Sequence, residues 1–274
     1  MPSTITAIIS DTHVGSWTAL ATHTWEMDTG ELGADGKPVY KQIIATPAQD
    51  WIYDKWVDYW RHVWDLAHTG GHRIVVLHLG DVIDGLHNGS TMQALPNLAD
   101  QEGMAIQLLL PIRNMADRMI IIRGTEAHAG PMQNSESRIA QALGKVDCIF
   151  EDILDIDGVI VDVAHHGRVG QRGWTSAASA MATQAILDAS LAGRPLPRYV
   201  FRGHNHAIDD SGEKIPGVRA IALPSWTLRN VYGYRVSAGL VSDIGGVIIL
   251  PDGSLDMSRV RYFDAPGQRI IRKI

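Results

Sequence analysis

A single cysteine, Cys148, in 274 residues excludes an internal disulfide and a zinc cluster built from thiolates. Any metal chemistry therefore falls to imidazole and carboxylate. No apolar run approaches the length needed to span a bilayer. The start, Met1-Pro2-Ser3-Thr4, lacks the basic leader and cleavable apolar stretch of an export signal. The expectation is a soluble, cytoplasmic protein of a reducing compartment, with no membrane partner. Positive charge is not in excess either: the formal net charge of −6 argues against a broad basic surface for long polyanions, while leaving room for a local basic groove. Internal repeats and low-complexity tracts are missing as well. What is present is a composition of 45% hydrophobic and 20% charged residues, which suits a chain able to bury a large core. We read one domain over 1–274, and we note 12 histidines, several of them grouped at the ends of apolar runs.

Leu77-His78-Leu79-Gly80-Asp81-Val82-Ile83-Asp84-Gly85 organises the chain. The apolar run from Ile74 to Leu79 reads as a strand buried on both faces. It empties into two carboxylates bracketed by glycines that let the backbone bend and approach a ligand. Carboxylates at such strand ends sit in the crevice where open α/β folds bind ligands. Four other stretches repeat the arrangement: Thr4 to Ser10 ends in Asp11-Thr12-His13, and Met119 to Arg123 in Gly124-Thr125-Glu126-Ala127-His128. Gly158 to Ala164 ends in His165-His166-Gly167, and Arg198 to Arg202 in Gly203-His204-Asn205-His206.

Between these stretches, 15 to about 47 reads as an inserted excursion with a hairpin, expected to lie over the site. A helix is expected from Ala48 to about His68, with Ile52, Trp56, Trp60, Val63, Trp64 and Ala67 at helical spacing. Six of the eight tryptophans fall between Trp17 and Trp64. They could stack bases, but a stripe at this spacing is more often core. Further helices are expected over Asn97 to Asp117, kinked or divided by Pro111, from Ser135, and over Thr175 to Leu191. Asp147 to Phe150 reads as a strand. Val218 to Leu223, Gly239 to Leu250 and Arg259 to Phe263 read as antiparallel strands.

Strand ends on one edge converge in space, so the five groups can surround two cations sharing a bridging carboxylate. Oxygen and imidazole donors suit Mn, Fe, Zn, Ni or Co and suit calcium poorly. Two such ions would bind phosphate oxygens and lower the pKa of a bridging water, supplying hydroxide near neutral pH. Hydrolysis of a phosphate ester is the natural chemistry.

The ordered set Asp11-Thr12-His13, Gly80-Asp81-Val82-Ile83-Asp84, Gly124-Thr125-Glu126-Ala127-His128, His165-His166 and Gly203-His204-Asn205-His206 resembles the calcineurin-like metallophosphoesterase superfamily. The resemblance spans about residues 4 to 206. It implies a four-layer α/β/β/α sandwich, two mixed sheets flanked by helices, with two divalent metal ions at the strand ends, manganese first among the candidates. By position it implies that Asp11, His13, Asp81 and His206 hold one ion, and that Asp81, a residue of the third motif, a histidine of the fourth and His204 hold the other. The third motif departs from the usual Gly-Asn-His. We assign Glu126 as ligand, with Thr125 as the alternative, and His128 as general acid oriented by Asp84. A Glu ligand would set three anions against roughly four units of metal charge, making the site less electrophilic. His165 is preferred over His166 as the ligand of its pair.

His87, Asn88, His166 and Arg168 are candidate substrate contacts; Arg172 and Arg229 could also grip phosphate. His78, inside a strand, reads as a core histidine. The expected activity is a phosphodiesterase or nuclease ahead of a phosphomonoesterase, acting on a nucleotide or short nucleic acid. A metal-stabilised scaffold without turnover is the alternative from another class. Trp226-Thr227-Leu228-Arg229 and Asp243-Ile244-Gly245-Gly246 give the chain a likeness to phage-type members.

Overall fold

Thr4–Ile9 (β1) is buried at every position, and its alternate side chains enter different cores, so the strand is covered on both faces. Ile5, Ala7 and Ile9 face helices, while Ile8 faces a second sheet. This strand lies in a computed structural model that describes residues 3–86, 93–128, 134–167, 174–228 and 242–262, the side chains of 174–176 excepted. The elements that follow are Thr24–Leu32 (β2), Pro38–Ile44 (β3), Pro47–Gly70 (α1), Arg73–His78 (β4), Leu98–Met115 (α2), Arg118–Ile122 (β5), Ser135–Leu143 (α3) and Val146–Ile149 (β6). The second half comprises Glu151–Ile156 (β7), Val159–Ala164 (β8), Trp174–Leu191 (α4), Tyr199–Arg202 (β9), Asp209–Asp210 (β10), Arg219–Ala222 (β11), Val247–Ile249 (β12) and Leu255–Asp256 (β13).

Six strands form one sheet in the order β13-β12-β1-β4-β5-β6, and five form another in the order β10-β11-β9-β8-β7. Apolar side chains from both, including Leu77, Ile120, Val163, Phe201, Ile221 and Val247, meet between the sheets. On the outer face of the first sheet, Ile74, Val76, Met119 and Ile121 pack with Ile52 and Trp56 of α1, Leu108 of α2 and Ile139 of α3. On the outer face of the second, Val200, Ala220 and Ala222 meet Ala178, Met181, Ala182 and Ala185 of α4, whose small side chains let helix and sheet approach closely. The architecture is thus a helix/sheet/sheet/helix sandwich. Strands β1, β4, β5 and β6 run parallel, as do β8, β9 and β11. Each parallel set therefore gathers its C-terminal ends at one edge.

Helix α1 starts on a reciprocal cap: Gln49 N–H donates to Thr46 Oγ1 at 3.2 Å, and Thr46 N–H to Gln49 Oε1 at 2.9 Å. Its tryptophans are core rather than a stacking platform, because Trp56 lies edge-on to Trp60 and Trp226; Trp64 alone of the expected stripe is exposed. Pro111 lies inside α2 and does not divide it. The expected hairpin is β2-β3, but its buried Trp25 and half-buried Met27 and Ile43 join the helix-side core, so what anchors it is the helical layer.

Three strand expectations need correction. β11 pairs antiparallel with β10 as expected, but parallel with β9 on its other edge. Within 239–250 the strand is only Val247–Ile249, and 239–241 lie outside the described residues. Arg259–Phe263 is no strand over its described part, to residue 262. Its side chains tie it down instead: Arg259 donates to Asp58 and Arg261 to Asp243, both through Nε.

Candidate metal centre

The loop after β1 and the loop after β4 are laced together before any side chain is considered. Asp11 N–H donates to the Gly80 carbonyl and His13 N–H to the Asp81 carbonyl, both at 3.0 Å. Trp226 N–H closes on the Asp11 carbonyl at 2.9 Å and Asp243 N–H on that of His206 at 3.0 Å. Asp11, His13, Asp81, His204 and His206 all have left-handed backbone, with φ between 42° and 72°. Residues other than glycine rarely adopt that conformation, and it gathers at functional sites where surrounding structure enforces it. Gly124 allows the loop after β5 to press against Asp81: a Cβ there would lie 2.1 Å from Asp81 Oδ1.

Onto this frame the structure brings Asp11, His13, Asp81, His128, His165, His204 and His206. Asp11, His13 and His206 form one group, with Asp11 Oδ1 3.3 Å from His206 Nε2 and 3.7 Å from His13 Nε2. The two Nε2 atoms are 3.0 Å apart. Asp81 stands in two further groups, one with His13 and His128 and one with Asp11 and His165. His165 Nδ1–H donates to the Leu79 carbonyl at 2.6 Å, which turns Nε2 toward Asp81 Oδ2 at 3.1 Å. Of the fourth-motif pair it is His165 that is buried, while His166 is exposed.

Charge follows burial here. Desolvation by itself would raise Asp11 and Asp81. The nearby imidazoles, His13 and His206 beside Asp11 and His165 beside Asp81, outweigh it by attraction to the charged form and hold both carboxyls below the usual range. Burial acts on His13 and His165 in the lowering direction, yet the facing carboxylates push them up to about 10 and about 9. His78 stays a core histidine: burial pushes it down to about 4, and Nε2 lies 3.1 Å from Thr12 Oγ1.

The donor set fits divalent cations. Asp11 Oδ1 is buried without a hydrogen-bond partner, and two imidazole nitrogens converge beside it. A cation satisfies all three at once, in keeping with the rule that buried charge is paired or coordinates metal.

Two expectations are corrected by this geometry. Thr125, not Glu126, faces the site: its N–H donates to Asp81 Oδ1 at 2.6 Å and its Oγ1 to Asp81 Oδ2 at 3.1 Å. Thr125 Oγ1 also lies 3.2 Å from His165 Nε2 and 3.3 Å from His204 Nδ1. Glu126 is exposed and belongs to none of the ligand groups. Thr125 hydrogen-bonds to Asp81, and the next side chain in the turn points out. Asp84 meets His128 through its backbone, with His128 Nδ1–H donating to the Asp84 carbonyl at 2.7 Å. Its carboxylate lies 3.6 Å from His13 Nδ1. His87, Asn88, Arg168, Arg172 and Arg229 lie outside the described residues.

Sequence reasoning missed Glu136, in the first turn of α3. It is fully buried, its Oε1 accepts the Gly124 N–H at 3.1 Å, and Oε2 has no hydrogen-bond partner. Only its distance in sequence from any motif hid it.

No family model and no curated protein sequence matches the chain. Similar solved structures include an archaeal phosphodiesterase at 11% identity, covering 92% of this chain and 97% of that one with a TM-score of 0.42. Another is Vps29 from Entamoeba histolytica complexed with zinc, at 13% identity, 92% and 88% coverage and a TM-score of 0.43. A metallophosphoesterase from Sphaerobacter thermophilus matches at 12% identity, 92% and 85% coverage and a TM-score of 0.38. At TM-scores this low, the reading of the site rests on its own residues.

Proposed function

We propose that the chain is a dinuclear metal-dependent phosphoesterase of the calcineurin-like kind that hydrolyses phosphodiester bonds. The observation that carries this reading is the meeting of Asp11, His13 and His206 with Asp81 and His165 at one sandwich edge, with Asp11 Oδ1 left without a hydrogen bond. Asp11, His13, Asp81 and His206 would hold one cation, and Asp81, His165 and His204 the other. Such a pair binds phosphate oxygens and supplies hydroxide near neutral pH.

The chain's own part in the reaction centres on His128. Its Nδ1–H is fixed on the Asp84 carbonyl, so Nε2 is the atom that faces Asp81 Oδ2, 3.9 Å away. A proton on Nε2 can pass to the departing oxygen, a transfer that typically contributes about a hundredfold to ten-thousandfold. The His13 ring packs edge-on against His128, with centroids 4.5 Å apart.

For the substrate we favour a diester of nucleotide size. The net charge of −6 disfavours long polyanions, and the burial of Trp25, Trp56 and Trp60 removes those three rings from any base-stacking surface. The test is turnover by metal-free protein refilled in turn with Mn, Fe, Co, Ni and Zn, on a bis-aryl and a mono-aryl phosphate. Faster hydrolysis of the diester, abolished in Asp81→Asn, supports the proposal. Preference for the monoester would make the protein a phosphomonoesterase, and tight metal binding without turnover in any metal would make it a scaffold.

A further inference from the structure

Consecutive residues of a strand point to opposite faces, so His165 and His166 should part company where β8 ends. They do not. The chain bends at His165, and the two rings lie edge-on with centroids 4.8 Å apart. His204 completes the set, 5.3 Å from the His165 ring and 4.8 Å from that of His166. The three planes are steeply inclined to one another, at 78°, 74° and 68°. Ring nitrogens of all three lie within 4.8 Å of one another, a spacing that small side-chain rotations bring to the bite of one cation with metal–nitrogen bonds of about 2.1 Å.

The third strand-end loop offers this side of the cleft little. Thr125 supplies a neutral hydroxyl already shared between Asp81, His165 and His204, and Glu126 faces solvent. A cation beside His165 and His204 therefore needs a further donor, and the imidazole beside both rings is that of His166.

We propose that His166 is a metal ligand, so that His165, His166 and His204 form a three-imidazole face for the second cation alongside Asp81. This rests on the dinuclear reading and sharpens it. An imidazole-dominated donor set favours zinc, cobalt, nickel or iron over manganese, whereas the carboxylate-bearing half around Asp11 suits the harder ions as well.

The test is cobalt binding by metal-free wild type, His166→Ala and His166→Cys, read as equivalents retained after dialysis and as visible absorption. Wild type is expected to hold two equivalents. His166→Ala should keep the first and bind the second about a hundredfold more weakly, with the visible band of that equivalent altered. In His166→Cys the second equivalent should return and bring a thiolate-to-cobalt charge-transfer band that wild type lacks. His166 is exposed, so neither substitution removes core packing, and circular dichroism checks that the fold is kept. If wild type and His166→Ala both hold two equivalents with the same affinities and spectra, and His166→Cys shows no new band, the proposal is overturned while the dinuclear reading stands. If wild type itself holds fewer than two, the dinuclear reading fails and takes this proposal with it.

Discussion

Around Asp11, His13 and His206 the donors are sunk in the protein: Asp11 and His13 are buried, and all three have left-handed backbone. Around His165, His166 and His204 only His165 is buried and only His204 has such a backbone, and the carboxylates beside His165 are Asp81 and Asp11, both supplied by the loops after β4 and β1. Each left-handed residue costs about 1–3 kcal/mol, so the first half is held in shape by structure that has already met the conformational cost. The second half is open, rich in imidazole and set by side-chain rotation. On the proposed two-ion reading, the contrast teaches that the ions should differ in their sensitivity to mutation, and that Asp81, grouped with His13 and with His165, is where the two halves would join.

The largest expected effect is the one that abolishes the contrast. Asp81→Asn should lower bound metal toward zero in both halves, whereas His206→Ala and His204→Ala should each weaken mainly one. Element analysis after dialysis checks this, and retention of both ions in Asp81→Asn would end the bridging assignment.

Next in size is the loss of the proposed proton donor. His128→Ala should slow an alkyl or nucleoside ester by about a hundredfold to ten-thousandfold and a nitrophenyl ester much less, because that oxygen leaves without help. Asp84→Asn keeps the carbonyl that holds His128 but removes the charge near His13. It should therefore act on the first ion's affinity rather than on leaving-group selectivity. Selectivity that tracks Asp84→Asn as closely as His128→Ala would restore the carboxylate as the orienting group.

Smaller effects separate Thr125 from Glu126. Thr125→Ala removes a hydroxyl bonded to Asp81 and set between His165 and His204, and should weaken the second ion by about tenfold, the lower end of what an outer hydrogen-bonding partner of a ligand contributes. Glu126→Gln should leave affinity unchanged. Isothermal titration of the two variants decides, and the reverse order would return the ligand role to Glu126.

The smallest expected effect concerns stability rather than metal. Burial, helped by the charge of Asp81, pushes Glu136 up to about 7 from its ordinary 4.5. Its contribution to the metal-free fold is fully present below 4.5 and is lost as pH rises toward 7, roughly 3 kcal/mol in all. His78, pushed down to about 4, works in the opposite direction over part of that window, so wild type alone is ambiguous. The difference between wild type and Glu136→Gln isolates the carboxyl: denaturant unfolding should show the variant gaining relative stability from pH 5 to 7.5. A constant difference would mean that Glu136 is not held protonated.

Much of this was legible in the chain. Apolar strands that end in glycine with Asp or His announce a site, because the code is local: a strand buried on both faces needs continuous branched residues, and a sharp exit needs glycine. The helical spacing of Ile52, Trp56, Trp60 and Val63 is equally local, and α1 lies within two residues of where it put the helix. Tertiary structure alone decided which side of the third-motif turn faces Asp81, which atom of Asp84 meets His128, and that Glu136 reaches Gly124 from another element. It also decided that β11 runs parallel to β9 and that two adjacent histidines share a face. Most of these depend on segments far apart in sequence meeting to within a few ångströms: the loops after β4 and β5 for Asp81, Asp84, Thr125 and His128, a helix for Glu136, and strand pairing for β11. That approach is set by the packed cores rather than by any neighbour in sequence.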